Sequence, residues 1–196
     1  MDLALFDFDH TITFADTYSR FLRVTADPAK RRRGEWSLAP WLAGYRLGVV
    51  SAKGIRARAT RVAFEGRPLR EVREQGARYA REILPGLLRP EMMDRIAWHK
   101  SRGDTVAVVS GSLDVYLRPW CEAHGLALIC NELESKGSVL TGRYHPCDRA
   151  AEKARHINER YELAAYAAIH AYGDSREDQQ MLALASHRWF RGRQVA

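Results

Sequence analysis

Two aspartates, Asp7 and Asp9, end the apolar run LALFDFD near the start of this sequence. Side chains two residues apart on a strand point the same way, so the two carboxylates are expected to crowd one face. Like charges this close repel each other, and burial disfavours the ionised form of both. A hard divalent cation such as Mg²⁺ takes oxygen ligands and would remove that repulsion. The pair therefore indicates either a metal site or an acidic strand end that faces water.

Two polar turns and one lysine supply further groups that can hold a phosphate. The turn VSGS, at the end of the stretch 104–112, offers hydroxyls and free backbone amides, and GDSRED brings the acids Asp174 and Asp178. Alone, VSGS could be a plain turn, Lys153 a surface lysine, and the acids a complement to a helix dipole. Together they suit phosphoryl transfer, which needs a nucleophile, an acid for the leaving oxygen and positive charge around the phosphoryl group.

These motifs follow predicted strands in an alternating pattern of strands and helices. We predict strands at 3–8, 104–112 and 167–175, a hairpin at 126–144 that turns at Lys136-Gly137, and a last short strand at 186–192. We predict helices at 90–103, 113–125, 148–161 and 176–185. Such alternation is typical of a doubly wound α/β sheet, in which ligands bind beyond the carboxyl ends of the strands. The three motifs are therefore expected to converge at one edge of the sheet.

The region between the first motif and the alternating pattern has a different character. From about residue 14 to residue 85 the pattern is helical, and residues 15–90 contain 17 Lys and Arg against 7 Asp and Glu, in a chain whose net charge is +7. This concentration of charge, which includes the run Lys30-Arg31-Arg32-Arg33, suggests a separate structural unit. A basic surface attracts phosphate-bearing molecules of many kinds, so the charge alone does not name a partner.

The four motifs FDFDHT, VAVVS, Lys153 in CDRAAEK, and GDSREDQQML resemble, in their order, those of the haloacid dehalogenase (HAD) superfamily of phosphohydrolases, subfamily IB. The resemblance implies a Rossmann-like doubly wound parallel sheet with a helical cap inserted after the first strand. It implies that Asp7 is the nucleophile and Asp9 the acid/base. Ser110, with the Gly111 amide beside it, would bind the phosphoryl group together with Lys153.

The same resemblance implies Mg²⁺ as the cofactor. Its protein ligands would be the Asp7 side chain, the Asp9 backbone carbonyl and Asp174, with Asp178 supporting the metal site. His10 occupies a position where the superfamily most often has glycine, and this leaves the chemistry unchanged.

The helical insertion, the AHGL spacing, the LES…LTGRY hairpin and the Cys147-to-Lys153 run resemble the phosphoserine-phosphatase-like branch. We accordingly predict a core domain at 1–14 and 86–196 and a cap domain at 15–85. The predicted substrate-binding residues are Thr11, Asp16, Arg56, Gly111 and Ser112, with Arg58 as the alternative to Arg56. Glu177 stands where phosphoserine phosphatases usually carry Asn, and Asp16 is the nearest match to their cap glutamate. These two differences argue against phosphoserine itself.

Three functions remain open from the sequence. The first is a phosphatase that acts on a small phosphoserine-like phosphomonoester. The second is a phosphatidylglycerophosphate-type lipid phosphatase, since the C-terminal SHRWFRG is similar to such enzymes and the stretch 35–50, with Trp36 and Trp41, could contact an anionic membrane surface. Packing within the cap is the simpler role of that stretch, and the membrane contact is its rival. The third is a phosphate- or nucleic-acid-binding protein without catalysis, although no nucleic-acid-binding signature is present.

Composition favours a cytoplasmic protein. No uncharged apolar stretch reaches 18 residues, so no transmembrane helix is expected. The first 15 residues have no basic leader, which argues against a signal peptide. The three cysteines, Cys121, Cys130 and Cys147, are widely spaced and are expected to be reduced.

Overall fold

Within residues 1–25, 38–145 and 148–195, which a computed structural model of the protein describes, the chain forms seven strands of one sheet. They are β1 Leu3–Phe6, β2 Thr105–Leu113, β3 Ala127–Lys136, β4 Val139–His145, β5 Ile169–Gly173, β6 His187–Phe190 and β7 Arg193–Val195. The strand order is β4-β3-β2-β1-β5-β6-β7. β1, β2, β3, β5 and β6 run parallel, and β4 and β7 are antiparallel to their neighbours.

The α-helices of the same ranges are α1 Thr17–Thr25, α2 38–46, α3 Ala52–Phe64, α4 Leu69–Glu82, α5 Pro90–Ser101, α6 Asp114–His124, α7 Lys153–Arg160 and α8 Gln179–Ala183. β1 lies between β2 and β5, so the chain winds outward from it in both directions. The predicted doubly wound parallel sheet is therefore confirmed. The basic run Lys30–Arg33, Trp36 and Cys147 lie outside the described residues.

The apolar strand β1 is buried on both faces. Ala4 and Phe6 belong to one hydrophobic cluster, and Leu3 and Leu5 belong to the cluster on the opposite face of the sheet. Because successive side chains of a strand point to opposite sides, the run LALF supplies two residues to each cluster. This double burial explains why the sequence has no polar residue between Leu3 and Phe6.

The helices α1 to α4 follow β1 and precede β2. Phe21 of α1 and Tyr79 of α4 pack edge to face, with ring centroids 5.2 Å apart, in the same cluster as Phe6. A buried group of hydroxyls holds α1, α3 and β4 together, because Thr60 Oγ1 lies 2.8 Å from Tyr18 Oη and 2.6 Å from Tyr144 Oη. The boundaries of the cap domain at 15 and 85 stay a prediction.

Helix α4 approaches α6 closely at Gly76. A Cβ on Gly76 would lie 2.1 Å from the Val115 carbonyl oxygen. That carbonyl lies four residues before Pro119, which is inside α6 and has no amide hydrogen to donate to it. Glycine at position 76 therefore allows α4 to pack against the backbone of α6 at this place.

Several predicted boundaries differ from the structure. The first strand ends at Phe6 rather than at residue 8, and the helix predicted at 148–161 begins as a 3₁₀ turn, Arg149–Glu152. The C-terminal segment forms a β6-β7 hairpin rather than one strand. In the described ranges, no helix combines the length and the apolar character needed to cross a membrane. Cys121 and Cys130 are buried and unpaired.

Candidate active site

The polar motifs meet at the carboxyl ends of β1, β2 and β5, which are adjacent in the sheet. Asp7 follows β1 directly, and its backbone amide donates to the Tyr172 carbonyl at 2.9 Å. The motifs line a cavity of about 1100 Å³ that extends toward the helices α1, α2 and α3. Position beyond the strand ends, at the point where the chain winds in opposite directions, is typical of ligand sites in doubly wound sheets.

Lys153 joins two of the predicted acids at the bottom of the cavity. Its Nζ donates to Asp7 Oδ1 at 2.5 Å and to Asp178 Oδ1 at 2.6 Å. Burial lowers the pKa of Lys153, but the two carboxylates outweigh burial and raise it above the ordinary value. Burial raises the pKa of Asp7 well above its ordinary value, and the Lys153 ammonium opposes that rise only in part. Lys153 therefore stays charged and favours the ionised form of Asp7.

Asp7, Asp174 and Asp178 form a cluster that suits a divalent cation. One carboxylate oxygen from each lies within 4.8 Å of the other two. Three carboxylates at this spacing match the all-oxygen ligand sets of Mg²⁺, so the residues present fit the predicted metal. A Cβ on Gly173 would lie 2.6 Å from the Asp178 Cβ, so glycine at this position lets the last acid approach β5. Asp178 also accepts hydrogen bonds from Ser175 N and Oγ, each at 2.8 Å.

Although β1 ends at Phe6, Asp7 and Asp9 both line the cavity, and the charge of Asp9 contributes to the raised pKa of Asp7. Asp9 has hydrogen-bond partners of its own. Its Oδ1 accepts from Thr17 N at 2.6 Å and Thr17 Oγ1 at 2.5 Å, and its Oδ2 accepts from Ser112 Oγ. Burial raises the pKa of Asp9, while the bonds from Ser112 and Thr17 oppose the rise. The two aspartates thus occupy different environments, as a nucleophile and an acid/base require.

The turn after Asp9 has a left-handed residue. His10 has φ 58° and ψ −4°, a conformation that glycine adopts without steric cost. This explains why glycine suits this position, and His10 is one of few non-glycine residues here with positive φ. His10 is exposed and lines the cavity. Its imidazole has no hydrogen bond among the described residues.

The predicted phosphoryl-binding turn forms a kink at the end of β2. Ser110 is buried and its Oγ accepts from Ser112 N at 3.0 Å. The pairing of β2 with β3 shifts register between Val109 and Leu113, so the turn interrupts the strand pairing. A Cβ on Gly111 would lie 2.6 Å from the Ala150 Cβ, in the segment that leads to Lys153. Ser110, Gly111 and Ser112 all line the cavity, as predicted from the sequence.

Asn131 is a site residue that the sequence analysis missed. It lies in β3, and its Nδ2 donates to the Gly111 carbonyl at 2.7 Å and to Asp148 Oδ1 at 3.1 Å. Its Oδ1 accepts from Arg149 N at 2.6 Å. Asn131 therefore joins the phosphoryl-binding turn to the segment before Lys153. A polar residue directly after the apolar run LALIC was the signal that could have identified it.

The predicted substrate-binding residues have different surroundings. Asp16 lines the cavity, and its carboxylate accepts from Ser19 N at 2.8 Å at the start of α1. Arg56 of α3 also lines the cavity, whereas Arg58 lies 5.9 Å from the ring centroid of Trp41. Thr11 is buried and is not among the described residues that line the cavity, and its Oγ1 has no partner there.

Comparison with known proteins gives one family and several related structures. The family model described as haloacid dehalogenase-like hydrolase matches residues 4–183. Protein CicA of Caulobacter vibrioides is 28% identical, and the match covers 96% of this chain and 85% of CicA. A protein of unknown function from Bordetella pertussis Tohama I has a TM-score of 0.80 at 23% identity, covering 95% of this chain and 88% of that chain. A substrate-bound phosphoserine phosphatase complex has a TM-score of 0.66 at 20% identity, covering 96% and 84%. Both solved structures share the fold.

Proposed function

This chain belongs to the haloacid dehalogenase-like hydrolase family, and we propose that it is a Mg²⁺-dependent phosphatase that hydrolyses a small phosphomonoester through an aspartyl-phosphate. The observation that carries the proposal is the separation of Asp7 from Asp9. Asp7 contacts the charged Lys153, whereas Asp9 is held apart by Ser112 and Thr17. Asp7 thus has a cationic partner that opposes the rise of its pKa on burial, whereas Asp9 has neutral hydroxyl and amide donors.

In the first step, Asp7 attacks phosphorus while the bond from phosphorus to the leaving oxygen breaks. Asp9 donates its proton to that oxygen, so the alcohol leaves uncharged. In the second step, Asp9 takes a proton from water, and the water oxygen attacks phosphorus and releases Asp7. Lys153 and the Ser110–Ser112 turn would hold the phosphoryl oxygens throughout, because their donors surround the same end of the cavity.

Asp7, Asp174 and Asp178 would hold the metal, which when bound would neutralise charge on the phosphate and on the carboxylates. Lys153 orients the cluster, since its ammonium donates to both Asp7 and Asp178. Removing the ammonium leaves two buried carboxylates without their shared partner. The Lys153→Met variant should therefore lose turnover together with stability.

The Asp7→Asn variant tests the mechanism. It keeps the shape of the side chain and removes the nucleophile, so turnover of phenyl phosphate with Mg²⁺ should fall by about 10³-fold or more. Asp94→Asn, the same change at an exposed position of α5, is the matched control and should retain full activity. Activity of Asp7→Asn near that of the unchanged protein would exclude the aspartyl-phosphate, and an inactive unchanged protein would exclude the phosphatase.

We also propose, as a second candidate, a lipid phosphate substrate at an anionic membrane surface. Residues 38–50 are the described part of the stretch 35–50, and several of their large apolar side chains are exposed. Leu47 is 80% exposed and Val49 is 78% exposed. Leu42 and Tyr45 of α2 line the outer part of the cavity, and each is also about half exposed. An apolar surface next to basic residues suits a membrane with anionic lipids.

Vesicle binding tests this second candidate. The protein should co-sediment with phosphatidylglycerol vesicles and much less with phosphatidylcholine vesicles. Leu47→Asp should weaken that binding, and Val195→Asp, which places the same charge at another exposed apolar position, should not. Equal binding of Leu47→Asp and the unchanged protein would exclude a membrane contact through this surface.

A further inference from the structure

Arg56 of α3 binds two carboxylates, those of Asp148 and Glu177, at the edge of the cavity. Its Nη1 and Nη2 donate to the two carboxylate oxygens of Glu177 at 3.1 and 2.9 Å. Its Nε and Nη2 also donate to Asp148 Oδ2, each at 3.3 Å. We call Arg56, Asp148 and Glu177 the rim cluster. Arg56 and Glu177 both line the cavity that contains Asp7.

The members of the rim cluster are held by other contacts. Asp148 Oδ1 accepts from Asn131 Nδ2 at 3.1 Å and from Ala150 N at 3.0 Å. The Arg56 backbone carbonyl accepts from Tyr18 Oη at 3.0 Å. The side chains of Asp148 and Arg56 are 3% and 16% exposed, and that of Glu177 is 34% exposed. Glu177 is therefore the member nearest to water.

The charge of the rim cluster is unfavourable for an anionic alcohol group. An arginine side chain offers a planar fork that binds a carboxylate through two parallel hydrogen bonds. Here Glu177 already occupies that fork, and the cluster of one cation and two anions has a net charge of −1. A substrate carboxylate at this place would have to displace Glu177 and remain beside Asp148. A hydrogen bond to a charged group is worth enough to change an equilibrium about tenfold or more.

We infer that Glu177 is a specificity residue, which occupies the Arg56 guanidinium and so disfavours phosphomonoesters whose alcohol carries a carboxylate. The preferred substrates are phosphomonoesters of uncharged alcohols. Apolar residues that line the same cavity, among them Leu22, Ile55 and Val62, suit such an alcohol. The inference rests on the proposed function, because it concerns the alcohol part of the substrate.

Equilibrium binding measures this preference without turnover. The Asp7→Asn variant is titrated by calorimetry, with Mg²⁺ present, against two matched ligand pairs. The pairs are phenyl phosphate with 4-carboxyphenyl phosphate, and ethyl phosphate with phosphoglycolate. In each pair, the ratio of the two Kd values isolates the effect of the carboxylate, and the two pairs place it at different distances from phosphorus.

In the Asp7→Asn protein, the carboxylated ligand of each pair should bind more weakly than its partner without the carboxylate. Adding Glu177→Gln should improve the relative binding of a carboxylated ligand by about tenfold in at least one pair. Adding Arg56→Met as well should abolish that gain, because the released guanidinium is its source. Glu65→Gln is the matched control, since Glu65, the residue after α3, pairs with Arg61 at an exposed position and does not line the cavity.

Three results would overturn the inference. They are an unchanged ratio in both pairs after Glu177→Gln, a gain that persists after Arg56→Met, and loss of binding of both members of each pair after Glu177→Gln. The last would mean that Glu177 supports the phosphate end of the site. Failure of the proposed function has a different signature, because the protein with Asp7 intact would then not hydrolyse phenyl phosphate, whatever the ratios of Kd.

Discussion

Replacing Gly76 by alanine should separate two helices that the active site depends on. The new Cβ would lie 2.1 Å from the Val115 carbonyl oxygen and 3.1 Å from the Val115 Cβ. The oxygen belongs to the backbone of α6, so no side-chain rotation relieves the contact. Tyr79, one turn farther along α4, donates to the Thr17 carbonyl at 3.2 Å, and Thr17 binds Asp9. A shift of α4 is therefore transmitted toward the acid/base.

Two opposing effects determine how much Gly76→Ala changes the free energy of unfolding. Alanine is favoured over glycine inside a helix by about 1 kcal/mol. Overpacking of a well-packed interior costs about 1–3 kcal/mol, and a backbone contact this short belongs at the upper end. Gly76→Ala should thus lower the free energy of unfolding by about 2 kcal/mol. For a protein of this size, that corresponds to a fall in Tm of about 4–8 °C.

Thermal unfolding followed by circular dichroism measures the effect, with Gly54→Ala as the matched control. Gly54 also lies inside a helix, α3, but its Cβ would meet only the Ser51 Oγ at 3.4 Å and the Val50 Cγ1 at 3.5 Å. These are ordinary contacts, so the control should keep its Tm or gain a few degrees from helix propensity. If both variants shifted Tm equally, the close approach of α4 and α6 would be refuted.

Three further predictions follow from other parts of the structure. Gly173→Ala should weaken Mg²⁺ activation at least several-fold, measured as the Mg²⁺ concentration for half-maximal activity, because its Cβ would displace Asp178. Burial raises the pKa of Asp104, but hydrogen bonds, that from His99 foremost, outweigh it and lower the pKa from 3.8 to about 2. Above pH ~4 the wild-type protein should therefore have a higher free energy of unfolding than Asp104→Asn. This difference should vanish as the pH falls toward about 2, as urea unfolding at each pH would show. Thr60→Val should lower the free energy of unfolding by about 1–3 kcal/mol in urea, because it removes the central hydroxyl of a buried hydrogen-bonded group.

The sequence predicted the fold and the residues that meet at the strand ends, because both follow from local patterns. Apolar runs that end in polar turns indicate parallel strands, and the carboxyl ends of such strands meet at one edge. The hydrogen-bond partners of Asp9 were not predictable in this way, because Thr17 and Ser112 belong to α1 and β2.

The other contacts that the sequence did not predict join segments that are distant along the chain. Asn131 is separated from Gly111 by 20 residues and from Asp148 by 17 residues, and no local pattern indicates that it joins them. The rim cluster likewise joins Arg56 to Glu177, which are 121 residues apart. The periodicity of apolar residues indicates which face of a helix or strand is buried, whereas the partner of a polar side chain depends on the tertiary structure.

The central position of β1 has a consequence for synthesis of the chain. Leu3 pairs with Thr105 on one side and with Ile169 on the other. The second neighbour of β1 is thus made about 165 residues after β1 itself. The apolar segment LALF waits for the synthesis of these residues before both of its edges are covered. Such non-local pairing slows folding and leaves an aggregation-prone segment exposed until β5 is made.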